Sequence, residues 1–413
     1  MTDHTTFVIV GAGLAGAKAA QALREEGYTG RVVLLGAEPR RPYERPPLSK
    51  EVLRGDAAAD TVFVHDEGFY DEHAIELRTA TPVESLDVGE RAVVLAGGER
   101  LRYDRLLLAT GARPRRLSLP GAELPGIHAL RTLEDCAALR ESLRPGALVA
   151  IVGAGWIGAE VAASARQLGL DVTVVEPTSM PLERVLGREI GAIYRDLHVE
   201  RGVRMLLGRR VAAFEGSRAV EAVCTADGER IACDLVVVGV GVTPCAEIAA
   251  RAGIDVANGI VVDEHLRTSA PGVFAAGDVA SARHPLYRRS VRVEHWANAL
   301  HQGPAAARNM LGASVAYDRI PYFYSDQYDV GMEYRGHAVS WSEIVVRGDV
   351  AGRAFVAFWL RDGRVVAGMN VNVRDVGEDV EALIRSGEPV DARRLADPAV
   401  ALSELLPAGA REG

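Results

Sequence analysis

The sequence predicts an α/β fold with two dinucleotide-binding domains and a C-terminal α+β domain, on three observations. One glycine pattern is written twice, as VIVGAGLAG at 8–16 and AIVGAGWIG at 150–158. Each copy runs into an alanine-rich helical stretch and then a second apolar strand ending in a carboxylate, VVLLGAE closing on Glu38 and VTVVE closing on Glu176. From Tyr322 the character changes to short strands of alternating polar and apolar residues, EIVVRG, RAFVAFWL and RVVAGMNV, followed by a helix near 377–386.

The spacing has the same physical reason in both copies. The first glycine (Gly11, Gly153) lets the strand turn sharply, and the second (Gly13, Gly155) lets backbone approach a pyrophosphate with no Cβ in the way. The third (Gly16, Gly158) lets the helix lie close on its strand. Phosphates then sit on unpaired N–H groups at the positive helix end, in the turns that hold Leu14 and Ala15 in one copy and Trp156 and Ile157 in the other. Glu38 and Glu176 are placed to accept hydrogen bonds from the ribose hydroxyls of the adenosine half. A lone GxGxxG is weak evidence. Turn, helix and acid in register, twice over, predict two Rossmann-like units holding two dinucleotides.

Composition narrows the class. At 413 residues and 48% hydrophobic content the chain can bury several cores. A net charge of −9 argues against general nucleic-acid binding. No apolar run reaches the length of a membrane span, and MTDH ahead of the first strand lacks the basic start of a signal peptide, so a cytoplasmic protein with no membrane partner is expected. Cys136, Cys224, Cys233 and Cys245 show neither CxxC nor metal spacing, which suits reduced structural thiols. The ten histidines show no metal pattern either, and no metal site is expected.

Along the chain the elements alternate. PRRPYERPPLSK at 39–50 cannot form a regular helix or a central strand. A strand RLLLA (105–109) ending at Ala109 runs into the turn Thr110-Gly111, 131–144 suggests a helix, and 203–231 reads as a hairpin-like region. DLVVVGVGVTP (234–244), with Gly241 in its turn, echoes ATGARP near residue 110; the strand VFAAGD (273–278) and a helix over 298–311 follow.

Two Rossmann units, ATG near residue 110 and VFAAGDVA (273–280) resemble the FAD-dependent pyridine nucleotide reductases of the glutathione reductase fold. That resemblance implies FAD in the first unit and a nicotinamide cofactor in the second. It divides the chain into a discontinuous FAD domain (1–115 and 246–321), an NAD domain (116–245) and a C-terminal domain (322–413). Gly277 and Asp278 would serve the ribityl and pyrophosphate part of FAD. The stretches PYERPPLSK (42–50), RTLED (131–135), VEHWANAL (293–300) and FYSDQYDVG (323–331) narrow the resemblance to the single-component ferredoxin reductases of bacterial P450 and Rieske oxygenase systems. It covers essentially the whole chain.

The resemblance implies that hydride passes from NADH to FAD and that single electrons leave to a [2Fe–2S] ferredoxin. Lys50 is the candidate for the group beside the flavin N5, with Glu160 as its partner carboxylate; Val83, Arg131 and Trp296 line FAD, and Arg45 lies near its adenosine part. A helix start around Trp296–Asn298 would offer its positive end to reduced flavin. Disulfide reductases of this fold carry a CxxxxC pair just after the first βαβ unit, but residues 39–56 hold no cysteine, so electrons must leave the flavin directly. A carboxylate at Glu176, with no arginine until Arg184, repels a 2′-phosphate and favours NADH over NADPH. The family's tryptophans before SDQ are replaced by Tyr322, Phe323 and Tyr324, which puts an indole electron path in doubt.

The partner is expected to be an acidic ferredoxin docking near the flavin edge. Arginines cluster at 40, 41, 45 and 54, at 113, 115 and 116, and at 283, 288, 289 and 292, and could form the docking patch. The alternatives are an NADH-dependent reductase of quinones, oxygen or another small acceptor, and a redox-sensing binding flavoprotein of the apoptosis-inducing-factor kind.

Overall fold

The computed structural model describes residues 5–407 and separates into two compact units. The first comprises the chain up to Arg45, Asp60–Arg113 and Val242–Pro321; the second comprises Pro46–Ala59, Pro114–Gly241 and the chain from Tyr322 onward.

The first unit is built on a five-stranded parallel sheet in the order Val273–Ala275, Arg105–Leu108, Thr6–Val10, Arg31–Leu35, Ile75–Arg78. Its central strands are nearly continuous apolar runs, as a sheet covered on both faces requires. Val8 stands opposite Val33 on one side and Leu106 on the other. The helix Leu14–Glu25 crosses between the first two strands and buries Ala17, Ala19, Ala20 and Leu23. Its small residues let the helix Trp296–Met310 come close: a Cβ added at Gly303 would stand 2.2 Å from the Ala15 carbonyl oxygen. Larger side chains along this seam would push the helices apart.

The second unit repeats the plan. Its parallel sheet runs Arg204–Leu207, Asp171–Glu176, Leu148–Val152, Leu235–Val238, Ile127–His128. Here the structure corrects the hairpin expected over 203–231. Arg204–Leu207 joins the parallel sheet beside Asp171–Glu176, and only the rest forms an antiparallel sheet, of Val211–Glu215, Ala222–Thr225 and Arg230–Ala232. A short MLL run carries no alternation by which a sequence could separate the two pairings. The expected helix over 131–144 is Leu133–Ser142, started by a capping box between Thr132 and Asp135.

From Tyr322 a five-stranded antiparallel sheet forms in the order Tyr322–Gln327, Val330–Gly336, Arg364–Val371, Ala354–Arg361, Glu343–Asp349. Phe355 through Leu360 are all buried, so this strand is covered on both faces. One hydrophobic core joins Tyr334, Phe355 and Trp359 to Leu186, Ile190 and Tyr194 of the helix Glu183–Glu200, and the Trp359 indole N–H donates to the Leu186 carbonyl at 3.2 Å. Helix Gly377–Ser386 buries Val380, Leu383 and Ile384 at helical spacing.

Candidate functional site: two glycine cradles and a buried ion pair

In the first unit Gly11 has φ +115°, and a Cβ there would lie 2.1 Å from the Ala109 oxygen; a Cβ on Gly16 would lie 2.0 Å from the Gly11 oxygen. Both positions are closed to any side chain by the protein itself. Gly13 differs: a Cβ there would meet nothing within 4 Å. It is the N-cap of Leu14–Glu25, so bare backbone, open space and the positive helix end coincide there, which is what a pyrophosphate needs. The second unit reproduces the pattern. Gly153, at φ +100°, is closed by the Gly239 oxygen and Gly158 by the Gly153 oxygen, while the nearest atom to a Cβ on Gly155 is 3.9 Å away.

The acids closing the two copies are held differently. Glu38 accepts the Tyr43 hydroxyl and pairs with Arg45 at 2.8 Å. Burial works against the Arg45 charge, but Tyr43, Glu38 and Asp278 outweigh it and hold the guanidinium above its ordinary range. Glu176 is buried, and its oxygens accept the Ala154 N–H at 2.7 Å, the Thr178 N–H at 2.9 Å and the Thr178 hydroxyl at 2.7 Å. A carboxylate offers about four acceptor positions, so roughly one is left for a ribose hydroxyl. The backbone of Arg209 adjoins Glu176, but its guanidinium pairs with Asp227.

The remaining positions in the first unit sit around the cradle's strands. Ala109 is buried at the end of Arg105–Leu108; Thr110 donates its hydroxyl to the Cys245 carbonyl at 2.6 Å, and Gly111 has φ +67°. The Gly277 N–H donates to Gln302 at 2.9 Å, Asp278 is buried, and Arg292 donates to its carbonyl. Trp296 opens its helix half-buried, and Val83 lies half-buried at the start of Val83–Asp87.

Lys50, Glu160, Trp156, Ile157, Arg131 and Gly241 belong to the second unit, as the second cradle does. Lys50 and Glu160 form a buried ion pair at 2.7 Å, with 9% and 6% of their side chains exposed. Lys50 also donates to the Pro46 carbonyl at 3.1 Å, and its ammonium lies 5.8 Å from the Tyr324 ring centre. The same Glu160 oxygen accepts the Ser49 hydroxyl, and the other accepts the Ser325 hydroxyl at 2.7 Å. The loop of Lys50 is fixed from beneath by Ser164, which donates to the Ser49 carbonyl at 2.7 Å, and by the Cys136 thiol, which donates to the Leu48 carbonyl at 3.3 Å. Burial pushes that thiol up to about 11. A thiol so protonated is a poor nucleophile and offers no substitute for a redox dithiol. The Arg131 N–H donates to Asp135 at 3.0 Å, Trp156 packs edge-on against Phe323 with ring centres 4.8 Å apart, and Ile157 is exposed.

Strand alternation divides FYSDQ. Phe323, Ser325 and Gln327 are buried, while Tyr322, Tyr324 and Asp326 face the other way and line a cavity of about 620 Å³ with Glu333, Asn370 and Arg374. Tyr322 donates to Glu333 at 3.0 Å, and burial together with that carboxylate pushes the phenol up to about 12. Ser49, Ser325 and Gln327 are functional candidates that chemistry-led reading of the sequence misses: SDQ marks the segment, but only the register shows which residues turn inward. Among the described residues no group of histidines, cysteines and acids is arranged to hold a metal, and no helix is long and apolar enough to cross a membrane.

Two glycine cradles on two parallel sheets define a protein that holds two dinucleotides. Residues 5–303 match the pyridine nucleotide-disulphide oxidoreductase family and residues 322–406 the reductase C-terminal domain. The chain belongs to the pyridine nucleotide-disulphide oxidoreductase family. It is 42% identical to the ferredoxin–NAD(+) reductase component of the anthranilate 1,2-dioxygenase system of Burkholderia cepacia, over 97% of this chain and 99% of that one. It is 40% identical to the corresponding component of the biphenyl dioxygenase system of Paraburkholderia xenovorans, over 98% of each. Its fold matches putidaredoxin reductase in a covalent complex with putidaredoxin at a TM-score of 0.93 and 37% identity, over 98% of each chain.

Proposed function

We propose that the chain is a ferredoxin reductase that uses FAD and NADH, serving a [2Fe–2S] ferredoxin that feeds a P450 or Rieske oxygenase. The observation that carries this reading is a pair of open cradles in a chain whose Lys50 loop holds no cysteine and which is matched end to end by ferredoxin–NAD(+) reductase components. Bound FAD would accept the hydride of NADH, two electrons and a proton, and release the electrons singly, so that one NADH serves two ferredoxins.

The chain's own residues supply binding and position. The Gly13 and Gly155 turns fit the pyrophosphates of FAD and NADH. Glu38 with Arg45, Val83, the Ala109–Gly111 turn, Gly277, Asp278, Arg131 and Trp296 are the remaining FAD contacts in this reading. Trp156, Ile157 and Gly241 join Glu176 on the NADH side. Glu176 sets a carboxylate against a 2′-phosphate, and Arg209, whose backbone adjoins it, is engaged by Asp227. The buried Lys50–Glu160 pair would, as the resemblance to ferredoxin reductases implies, be the charged group beside the flavin N5. A cytoplasmic site of action suits four free cysteines.

The first test is anaerobic titration of the purified protein with each nicotinamide. NADH should bleach the flavin absorbance at stoichiometric addition, with kcat/KM at least tenfold above that for NADPH, about 1.4 kcal/mol. An absent flavin, or NADPH equal to NADH, contradicts the reading.

A further inference from the structure

The geometry points to a positioning role for Ser325: anchored by Gln327, His198 and Tyr328, it fixes the Glu160 carboxylate beside Lys50 and thereby sets the rate of hydride delivery. The proposal rests on the function proposed above and deepens it. Four hydrogen bonds run in one direction from Tyr328, through His198 of the helix Glu183–Glu200, to the ion pair. Tyr328 pairs with the His198 Nδ1 at 3.1 Å, and the His198 Nε2 with the Gln327 Oε1 at 2.9 Å. The Gln327 Nε2 donates to the Ser325 hydroxyl at 3.2 Å, and Ser325 donates to Glu160 Oε1 at 2.7 Å.

The chain fixes its own polarity. An amide oxygen only accepts, so His198 must carry its proton on Nε2, and Nδ1 must then accept from the Tyr328 hydroxyl. Every donor points toward the Glu160 charge, so the bonds reinforce one another along the chain. Ser325 and Gln327 share the inward face of their strand, at 1% and 0% exposure, and His198 is 1% exposed, so water does not compete for these groups. An amide in the middle cannot relay protons readily, which makes the chain an orienting strut. It gives Glu160 Oε1 a fixed donor while Oε2 takes Lys50 and Ser49.

The test uses the purified holoenzyme with rapid-mixing reduction by NADH. In Ser325→Ala the limiting rate of flavin reduction should fall about tenfold, as expected for one lost charge-assisted hydrogen bond. The apparent Kd for NADH and the flavin content should hold, Tm should fall by no more than the few degrees that one buried hydrogen bond is worth, and Ser325→Thr should restore the rate. Gln327→Met, which keeps the length and strips the amide, should lower the rate by a smaller factor. A readout independent of turnover is the 15N signal of the His198 ring: Nε2-protonated in the wild type, and released to the other tautomer or a mixture in Gln327→Met. An unchanged rate in Ser325→Ala, or a rate that falls only together with Tm and flavin content and is not rescued by threonine, overturns the proposal. If wild-type flavin is not reduced by NADH at all, the function itself fails instead.

Discussion

At Glu160 a buried carboxylate receives Lys50, Ser49 and Ser325 at once, and taking it away leaves an ammonium with little water and no anion. Glu160→Ala should cost about 3–5 kcal/mol of stability in urea unfolding, while the paired replacement of Lys50 and Glu160 by methionine should cost less, since no charge is then stranded. His198 gives a second residue-scale prediction. Burial holds its ring down to about 4, against an ordinary 6.5. Between those values the unfolded chain binds a proton that the folded chain does not, so stability falls as pH drops through this window, by about 3 kcal/mol in all. His65, also held to about 4 by burial, acts in the same sense. Unfolding midpoints measured from pH 7 to pH 4 should therefore decline, and His198→Asn should flatten the decline. The Lys50–Glu160 pair follows from the resemblance to ferredoxin reductases, because both residues lie within or just after short motifs, PPLSK and the second GxGxxG. Ser325 and His198 carry no such signal, since Ser325 meets Glu160 across 165 residues of chain and His198 meets Gln327 across 129.

The elements with a chemical period were the legible ones. Both βαβ units, the helix from Trp296 and the C-terminal strands follow from apolar runs, alanine spacing and alternation. Short strands set by tertiary pairing, such as Arg204–Leu207, have no such signature. Within a cradle the three glycines are not equivalent, and this is testable. Gly11→Ala and Gly16→Ala force a Cβ onto carbonyl oxygens 2.1 and 2.0 Å away and should yield unstable or insoluble protein. Gly13→Ala meets no protein atom and should fold with near-normal Tm after flavin removal, yet retain little FAD, as read by absorbance after desalting. In the second unit Gly155→Ala should raise KM for NADH while leaving flavin content intact.

For the whole molecule the question is where electrons leave and to whom. The net charge of −9 repels an acidic partner at long range, so docking must depend on local positive charge. Several arginines read as a possible patch are engaged within the chain: Arg45 by Glu38, Arg54 by Asp56, Arg113 by Glu247 and Arg292 by Glu294. Arg116, Arg283 and Arg288 are exposed. Arg283→Glu and Arg288→Glu should therefore raise KM for ferredoxin severalfold and weaken its salt dependence, whereas Arg113→Glu should do less. The most direct measurement is NADH-driven cytochrome c reduction with and without a [2Fe–2S] ferredoxin from an oxygenase system of the same organism. Ferredoxin should raise the rate at least tenfold, saturably, with the gain shrinking as salt rises. A rate that ferredoxin leaves unchanged, while a quinone is reduced rapidly, would contradict the account.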